Sequence, residues 1–152
     1  MIGKLACNIA QALGGCQRAD IIVLPPPTPC GLLDAFEASS ILLDKLDELK
    51  DTQAAIHLPD MGIKKYKKSD IVQYLNLDET DQIPYLAENH DCDDFAAELY
   101  GKFAGLVWTM PHALNFFFDE VGTLWFLEPQ SDKMARTLEN WQGWDVRFFL
   151  AR

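Results

Sequence analysis

The sequence contains no apolar run long enough to cross a bilayer, no C-x-x-C pair and no internal repeat. A membrane-spanning helix needs about 20 consecutive apolar residues, so the first absence argues against a membrane protein. The cysteines, Cys7, Cys16, Cys30 and Cys92, are too sparse for a disulfide scaffold and are not spaced like a zinc knuckle. We therefore expect a globular protein of a reducing, cytoplasmic compartment.

Positive charge is also scarce, since 13 Lys and Arg residues stand against 23 Asp and Glu residues, for a formal net charge of -10. An acidic surface repels phosphate backbones, so we expect no nucleic-acid partner. The basic residues that are clustered, Lys64, Lys65, Lys67 and Lys68, form a short run. Such a run is typical of a solvated face or of a strand edge guarded against aggregation.

The N-terminal segment allows two interpretations. The run LGGC at 13–16 resembles a lipoprotein cleavage site, which would give a lipid anchor through Cys16. However, Asn8 and Gln11 interrupt the apolar stretch that such a signal requires. We favour an amphipathic helix over residues 3–13 that is ended by a glycine pair.

Hydrophobic periodicity predicts an α+β protein with a helical N-terminal half, residues 1–84, packed on a C-terminal core, residues 85–152, in one compact domain overall. In the first region the patterns predict helices over 3–13, 32–54 and 69–75, a strand over 21–24 and an extended proline arm over 25–29. In the second they predict helices over 91–103 and 131–140 and strands over 106–109, 113–118, 123–127 and 146–151.

Cys92 is the first residue that suggests chemistry. Asp91 is a plausible N-cap, which places Cys92 in the first turn of a helix. The partial positive charge and free N–H groups of a helix N-terminus stabilise a thiolate and bind an oxyanion. A small buried cysteine is the structural alternative. For the amide side chain that would complete an oxyanion hole, Gln82 and Asn89 are the upstream candidates.

His112 and Glu128 are the second and third residues that suggest chemistry. A helix from Cys92 to Phe103 is about 18 Å long, and the chain that follows spans about 20 Å by His112, so it can return to the helix start. If the following hairpin turns near Val121, position 129, give or take one, lies opposite His112. Glu128 is then the cross-strand neighbour of His112 and can accept a hydrogen bond from its imidazole.

Three stretches carry a resemblance to a known family: DCDDFA at 91–96, HALNFFFDEVGTLWFLEPQSD at 112–132, and the final alternating strand. They resemble the papain-like C-terminal domain of mushroom agglutinins of the Marasmius type and related phage and bacterial proteins. The resemblance implies a papain-like core, in which a nucleophile helix packs on an antiparallel sheet. It implies Cys92 as nucleophile, His112 as base, Glu128 as the group that orients the base, and Gln130 as a supporting site residue. It also implies Asp93 and Asp94 as calcium ligands.

Residues and resemblance together predict a papain-like cysteine hydrolase, a peptidase or amidase that works through an acyl-enzyme. Its substrate would be a protein, a peptide or a cell-wall peptide, and acyl transfer to an amine in the manner of transglutaminases stays open. The chemistry requires no cofactor, and Ca²⁺ is the expected ion. The alternative is a catalytically inactive interaction protein on the same scaffold, phage-encoded and binding a host partner.

Overall fold

The computed structural model describes residues 24–51, 53–138 and 145–152. Within them the chain forms three α-helices, one short 3₁₀ helix at Thr80–Gln82 and eight strands. The helices are α1 (Ala35–Glu48), α2 (Lys68–Leu75) and α3 (Cys92–Lys102). The strands are β1 (Gly31–Leu33), β2 (Ala55–His57), β3 (Ile63–Tyr66), β4 (Gly105–Thr109), β5 (Ala113–Asp119), β6 (Leu124–Glu128), β7 (Lys133–Ala135) and β8 (Val146–Leu150).

All eight strands belong to one mixed sheet, whose main path runs β1-β3-β5-β4-β8-β2. Off this path, β6 pairs with β5 and β7 pairs with β6. Two contacts, β3 with β5 and β2 with β8, are parallel, and the others are antiparallel. β5 is therefore the central strand, and every one of its residues is buried. Such a strand reads as a continuous apolar run because both of its faces are covered.

One face of the sheet packs on α1. Asp34 caps this helix, because its side chain accepts hydrogen bonds from the backbone N–H groups of Phe36 and Glu37. From the helix, Ala38, Leu42 and Leu46 meet a set of aromatic and aliphatic side chains of the sheet that includes Leu114, Phe116, Phe118, Phe126 and Phe149. We call this side the α1 face.

The opposite face packs on α2 and α3, and we call it the α3 face. Its cluster joins Ile71, Tyr74 and Leu75 of α2 and Leu99 of α3 to Phe103, Phe117 and Leu127. Alternation along β5 sends Leu114, Phe116 and Phe118 to the α1 face and Phe117 to the α3 face. Asn115 follows the same alternation, and its side-chain amide donates to the carbonyls of Ala96 at 2.9 Å and Gly105 at 3.0 Å. These two hydrogen bonds join α3 and the start of β4 to the central strand β5.

The expectation of a mixed α and β protein is confirmed. The predicted helix at α3, the predicted hairpin of β5 and β6, and the predicted last strand, β8, are confirmed as well. The expectation of a helical N-terminal half is wrong for its described part, which also contributes β1, β2 and β3 to the sheet. Residues 32–34 are strand and cap, so α1 begins later than predicted. The predicted helix over 131–140 is wrong where the structure describes it, because β7 begins at Lys133. The predicted helix over 3–13 and all of the strand over 21–24 except Leu24 lie outside the described residues.

Candidate functional site

The start of α3 is built as a capping box. Asp91 is the N-cap, and its side chain accepts a hydrogen bond from the backbone N–H of Asp93 at 3.4 Å. In return the Asp94 carboxylate accepts one from the backbone N–H of Asp91 at 3.2 Å. These reciprocal bonds hold the helix start rigidly, and they place Cys92 in its first turn as predicted.

The thiol of Cys92 is partly buried and is not activated in the way predicted. Burial raises the pKa of Cys92, the backbone N–H of Ala113 lowers it through a hydrogen bond, and the carboxylates of Asp91 and Asp93 raise it further. The net direction is upward, so burial and two adjacent negative charges outweigh the backbone hydrogen bonds to the thiol. The hydrogen bond from Ala113 also shows where the thiol lies, beside the residue that follows His112.

His112 and Glu128 form the contact that the hairpin predicted. Nε2 of His112 lies 2.7 Å from Oε2 of Glu128, and both side chains are largely buried. The strands align Asn115 with Leu127, and continuing this register places Gln130 opposite His112. Glu128 therefore reaches His112 diagonally, and the position opposite His112 lies within the predicted range of 129, give or take one. The backbone before β5 is fixed as well, since the backbone N–H of His112 donates to the hydroxyl of Thr109 at 3.1 Å.

Gln130 lies next to this pair. Its backbone N–H donates to Oε1 of Glu128 at 3.3 Å, so the carboxylate is held from two directions. The side-chain Nε2 of Gln130 is buried and has no hydrogen-bond partner in the described part of the chain. The structure thus brings Cys92, His112, Glu128 and Gln130 to one end of the sheet. Their catalytic roles stay a prediction.

The predicted calcium ligands are arranged differently from expectation. Ligand atoms of Asp91, Cys92 and Asp93 lie within 4.8 Å of one another. Asp94 instead serves the capping box. A hydrogen bond between the side chains of Asp91 and Asp93 raises the pKa of Asp93 and lowers the pKa of Asp91. Ca²⁺ takes six to eight oxygen ligands, and a thiol is a poor substitute for one, so this set does not fit calcium as it stands. Calcium binding at Asp93 and Asp94 stays a prediction.

A groove that the sequence did not predict runs along the exposed side of α3. Its first part, of about 470 Å³, is lined by His90, Asp94, Ala97, Glu98, Gly101 and Lys102. Its second part, of about 500 Å³, shares Glu98 and Lys102 and continues to Glu79, Thr80, Gln82, Ile83 and Pro84. The residues that α3 contributes are spaced by three or four positions, which is the spacing of one helix face. This pattern of polar and small residues along one side of α3 is the sequence signal from which the groove could have been predicted.

The two upstream amides do not complete an oxyanion site beside Cys92. Gln82 lines the second part of the groove together with Lys102, at the far end of α3. Lys102 lies ten helical positions after Cys92, a rise of about 15 Å. Asn89 is exposed, and its side chain donates to the carbonyl of Ala87 at 3.4 Å.

No protein-family model and no curated protein matches the chain. Solved structures do. The PSL1a-E64 complex shares 21% sequence identity with a TM-score of 0.62, over 78% of this chain and 49% of the other. The Polyporus squamosus lectin bound to the human-type influenza-binding epitope Neu5Aca2-6Galb1-4GlcNAc shares 18% identity with a TM-score of 0.54, over 73% of this chain and 48% of the other. The chain thus has a mushroom-lectin-like fold and spans about half the length of these structures.

This comparison confirms the resemblance to a mushroom agglutinin at the level of the fold, and it overturns the predicted function. The structural neighbours are lectins, so the prediction of a cysteine hydrolase with a catalytic triad is wrong on this comparison. Burial raises the pKa of Cys92, and this direction disfavours a thiolate nucleophile. Within the described residues, no helix is long and apolar enough to span a membrane.

Proposed function

We propose that this chain is a glycan-binding protein and that the groove along α3 holds the sugar. The observation that carries the proposal is the open polar groove, in a chain whose fold is similar to about half of a mushroom lectin. The proposal is closest to the alternative that the sequence left open, a binding protein without catalysis, with a glycan in the place of a host protein.

The chemistry of the groove suits sugar hydroxyls. A hydroxyl both donates and accepts, and the groove offers carboxylate acceptors at Asp94, Glu98 and Glu79 and an amide that does both at Gln82. Hydrogen bonds to ionised acceptors are the stronger ones. Ala97 and Gly101 present little side chain, so a sugar ring can approach the helix backbone closely.

The segment beside the groove adds an aromatic surface. Tyr85 follows Pro84 of the groove wall, and it is 58% exposed. A tyrosine has an apolar face and a polar tip, which matches the apolar ring face and polar rim of a sugar. The turn that follows is closed by two backbone hydrogen bonds between Leu86 and His90, of 2.9 and 2.7 Å. That closure fixes the end of the segment that carries Tyr85.

The far wall of the groove is rigid. Nζ of Lys102 donates to both carboxylate oxygens of Asp78, at 2.6 and 2.7 Å, and to the hydroxyl of Thr80 at 2.8 Å. Asp78 and Thr80 are both buried. These contacts tie the C-terminal end of α3 to the 3₁₀ helix. A preformed wall lowers the entropy lost on binding.

The test is a screen on an array of neutral and sialylated glycans, followed by titration of the best binder. Gly101→Leu is the blocking variant, because a Cβ at Gly101 meets no atom within 4 Å and the added side chain extends into the groove. Leucine is also a better helix former than glycine, so the fold is expected to survive. We expect binding to weaken by about tenfold or more, which is a loss of about 1.4 kcal/mol.

Ser40→Leu is the matched control. Ser40 is an exposed residue of α1, on the other side of the sheet, so the same added bulk there should leave binding unchanged. Equal binding by the native chain and Gly101→Leu would remove the sugar from the α3 groove. A blank array would overturn the proposed function itself.

A further inference from the structure

The groove along α3 is acidic. Asp94, Glu98 and Glu79 are exposed residues that line it, and each carries a carboxylate. The net charge of -10 adds a diffuse negative potential to these local charges. An anionic ligand in this groove is therefore repelled by carboxylates on several sides.

The lysine in the groove does not offset those charges, because its donors are already used. An ammonium group has three N–H donors. Nζ of Lys102 donates to Oδ1 and Oδ2 of Asp78, at 2.6 and 2.7 Å, and to the hydroxyl of Thr80 at 2.8 Å. The charge is matched by a partner that is 4% exposed, so releasing Lys102 to a ligand would leave a buried carboxylate without its counter-ion.

From these contacts we propose that the groove selects neutral glycans and rejects those that end in a sialic acid. The inference rests on the proposed function and makes it specific, and it separates this chain from the lectin that was solved with a sialylated epitope. Sialic acid carries a carboxylate, which is ionised at neutral pH. Like charges a few ångströms apart repel even in a water-like medium, so two nearby carboxylates give a discrimination of about tenfold or more.

The experiment uses matched pairs of glycans that share a neutral core. Galβ1-4GlcNAc and its α2-6-sialylated form make one pair, and other neutral cores with and without terminal sialic acid make further pairs. Each pair is titrated against the full chain by calorimetry at about 0.02 M and about 0.5 M salt. We expect the neutral member to bind about tenfold tighter at low salt, and the difference to shrink at high salt as the charges are screened.

The outcomes separate the two proposals. Tighter binding of neutral members, with the expected salt dependence, supports both. Equal or tighter binding of the sialylated members would overturn neutral selection and leave glycan binding standing. No binding by any member would overturn both.

A charge-reversal variant tests the cause. Glu98→Lys places a free cation in both parts of the groove, and we expect it to reduce the preference for the neutral member at least about fivefold at low salt. Glu37→Lys makes the same change in net charge on exposed α1 and should leave the preference unaltered. If both variants shifted the preference equally, net charge and not the groove would set selectivity, and the proposal would be wrong.

Discussion

The two faces of the sheet are buried by different kinds of contact. The α1 face is a continuous apolar cluster, in which the rings of Phe116 and Phe149 meet edge to face with centroids 5.5 Å apart. The α3 face mixes aromatic rings with polar groups that are held in place, such as the Asn115 amide and the Lys102–Asp78 ion pair. The groove and the start of α3 lie on this second side.

The difference shows that the two faces are stabilised by different kinds of contact. Apolar burial contributes to stability in proportion to area and imposes little direction. Buried polar groups fix positions, but each one costs free energy if its partner is lost. We therefore expect the α1 face to respond to lost volume and the α3 face to respond to lost partners, pH and added bulk.

The largest expected effect is a cavity in the α1 face. Phe116 is fully buried, and its ring lies against the site where a Cβ on Gly105 would sit. Phe116→Ala should lower the free energy of unfolding by about 3–5 kcal/mol, measured by urea denaturation. Phe36→Ala is the control, since Phe36 is 84% exposed, and should change it by less than about 0.5 kcal/mol. Similar losses for the two variants would show that the α1 face is not the stabilising core.

The next effect is a lost partner on the α3 face. Lys102→Met leaves the buried Asp78 carboxylate without its ion pair, so we expect a loss of about 2–3 kcal/mol. The pair between Lys45 and Glu48 on α1 is the control, because its glutamate is exposed. Lys45→Met should cost about 0.5 kcal/mol or less. If Lys102→Met were equally mild, the wall of the groove would not depend on this contact.

The elements that the sequence predicted are those with strong local signals. The capping box and periodicity of α3 are local, and so is the alternation around the hairpin of β5 and β6. The strands that were missed, such as β2 and β7, have three residues each, too few to show a period. β2 is specified by a parallel partner, β8, far along the chain, and sequence patterns do not contain that information.

The site was predictable in position and not in chemistry. Chain reach and hairpin register predicted His112 beside Glu128, and the structure has that contact at 2.7 Å. The pKa of Cys92 was expected to fall, because the helix N-terminus was visible in the sequence. Its burial, which is the largest cause of the shift, entered the sequence analysis only as the structural alternative. The groove was missed for a related reason, since its second wall is a separate segment that only the fold brings to α3.

Asp132 makes the α3 face sensitive to pH. Burial raises the pKa of Asp132 from 3.8 to about 7, and the charges of Asp81 and Asp78 contribute. Between these two values the folded chain binds more protons than the unfolded chain, so this group lowers stability as the pH rises from about 4 to about 7.

Asp132→Asn should therefore be more stable than the native chain at pH 8, by about 1–2 kcal/mol after allowance for partial exposure, and should gain little near pH 4. Urea denaturation across that range measures the difference. Asp145→Asn is the control, because Asp145 has the same positive φ of 55° and is exposed. A gain that does not depend on pH would assign the effect to the backbone and not to the charge.

Cys92 tests whether the polar end of the sheet is reactive. Because burial raises the pKa of its thiol, we expect iodoacetamide to label Cys92 about tenfold more slowly at pH 7 than the exposed Cys30. Peptide mass spectrometry resolves the two sites, and E64, the compound in the PSL1a complex, provides a second probe. Faster labelling of Cys92 than of Cys30, abolished by His112→Ala, would contradict the raised pKa and support the catalytic roles predicted from the sequence.

The smallest effect concerns the glycine in α3. Gly101 is helical and exposed, and a methyl group there meets nothing within 4 Å, so Gly101→Ala should raise the free energy of unfolding by about 0.5–1 kcal/mol. Ser40→Ala on α1 is the matched control and should give a gain of about 0.5 kcal/mol. The two variants should differ in glycan affinity, because only the methyl group at Gly101 enters the groove. A stability gain at Gly101 with unaltered affinity would show that the sugar does not approach this turn of α3, whereas a parallel loss of affinity would show that the α3 face gives up helix stability to keep its groove open.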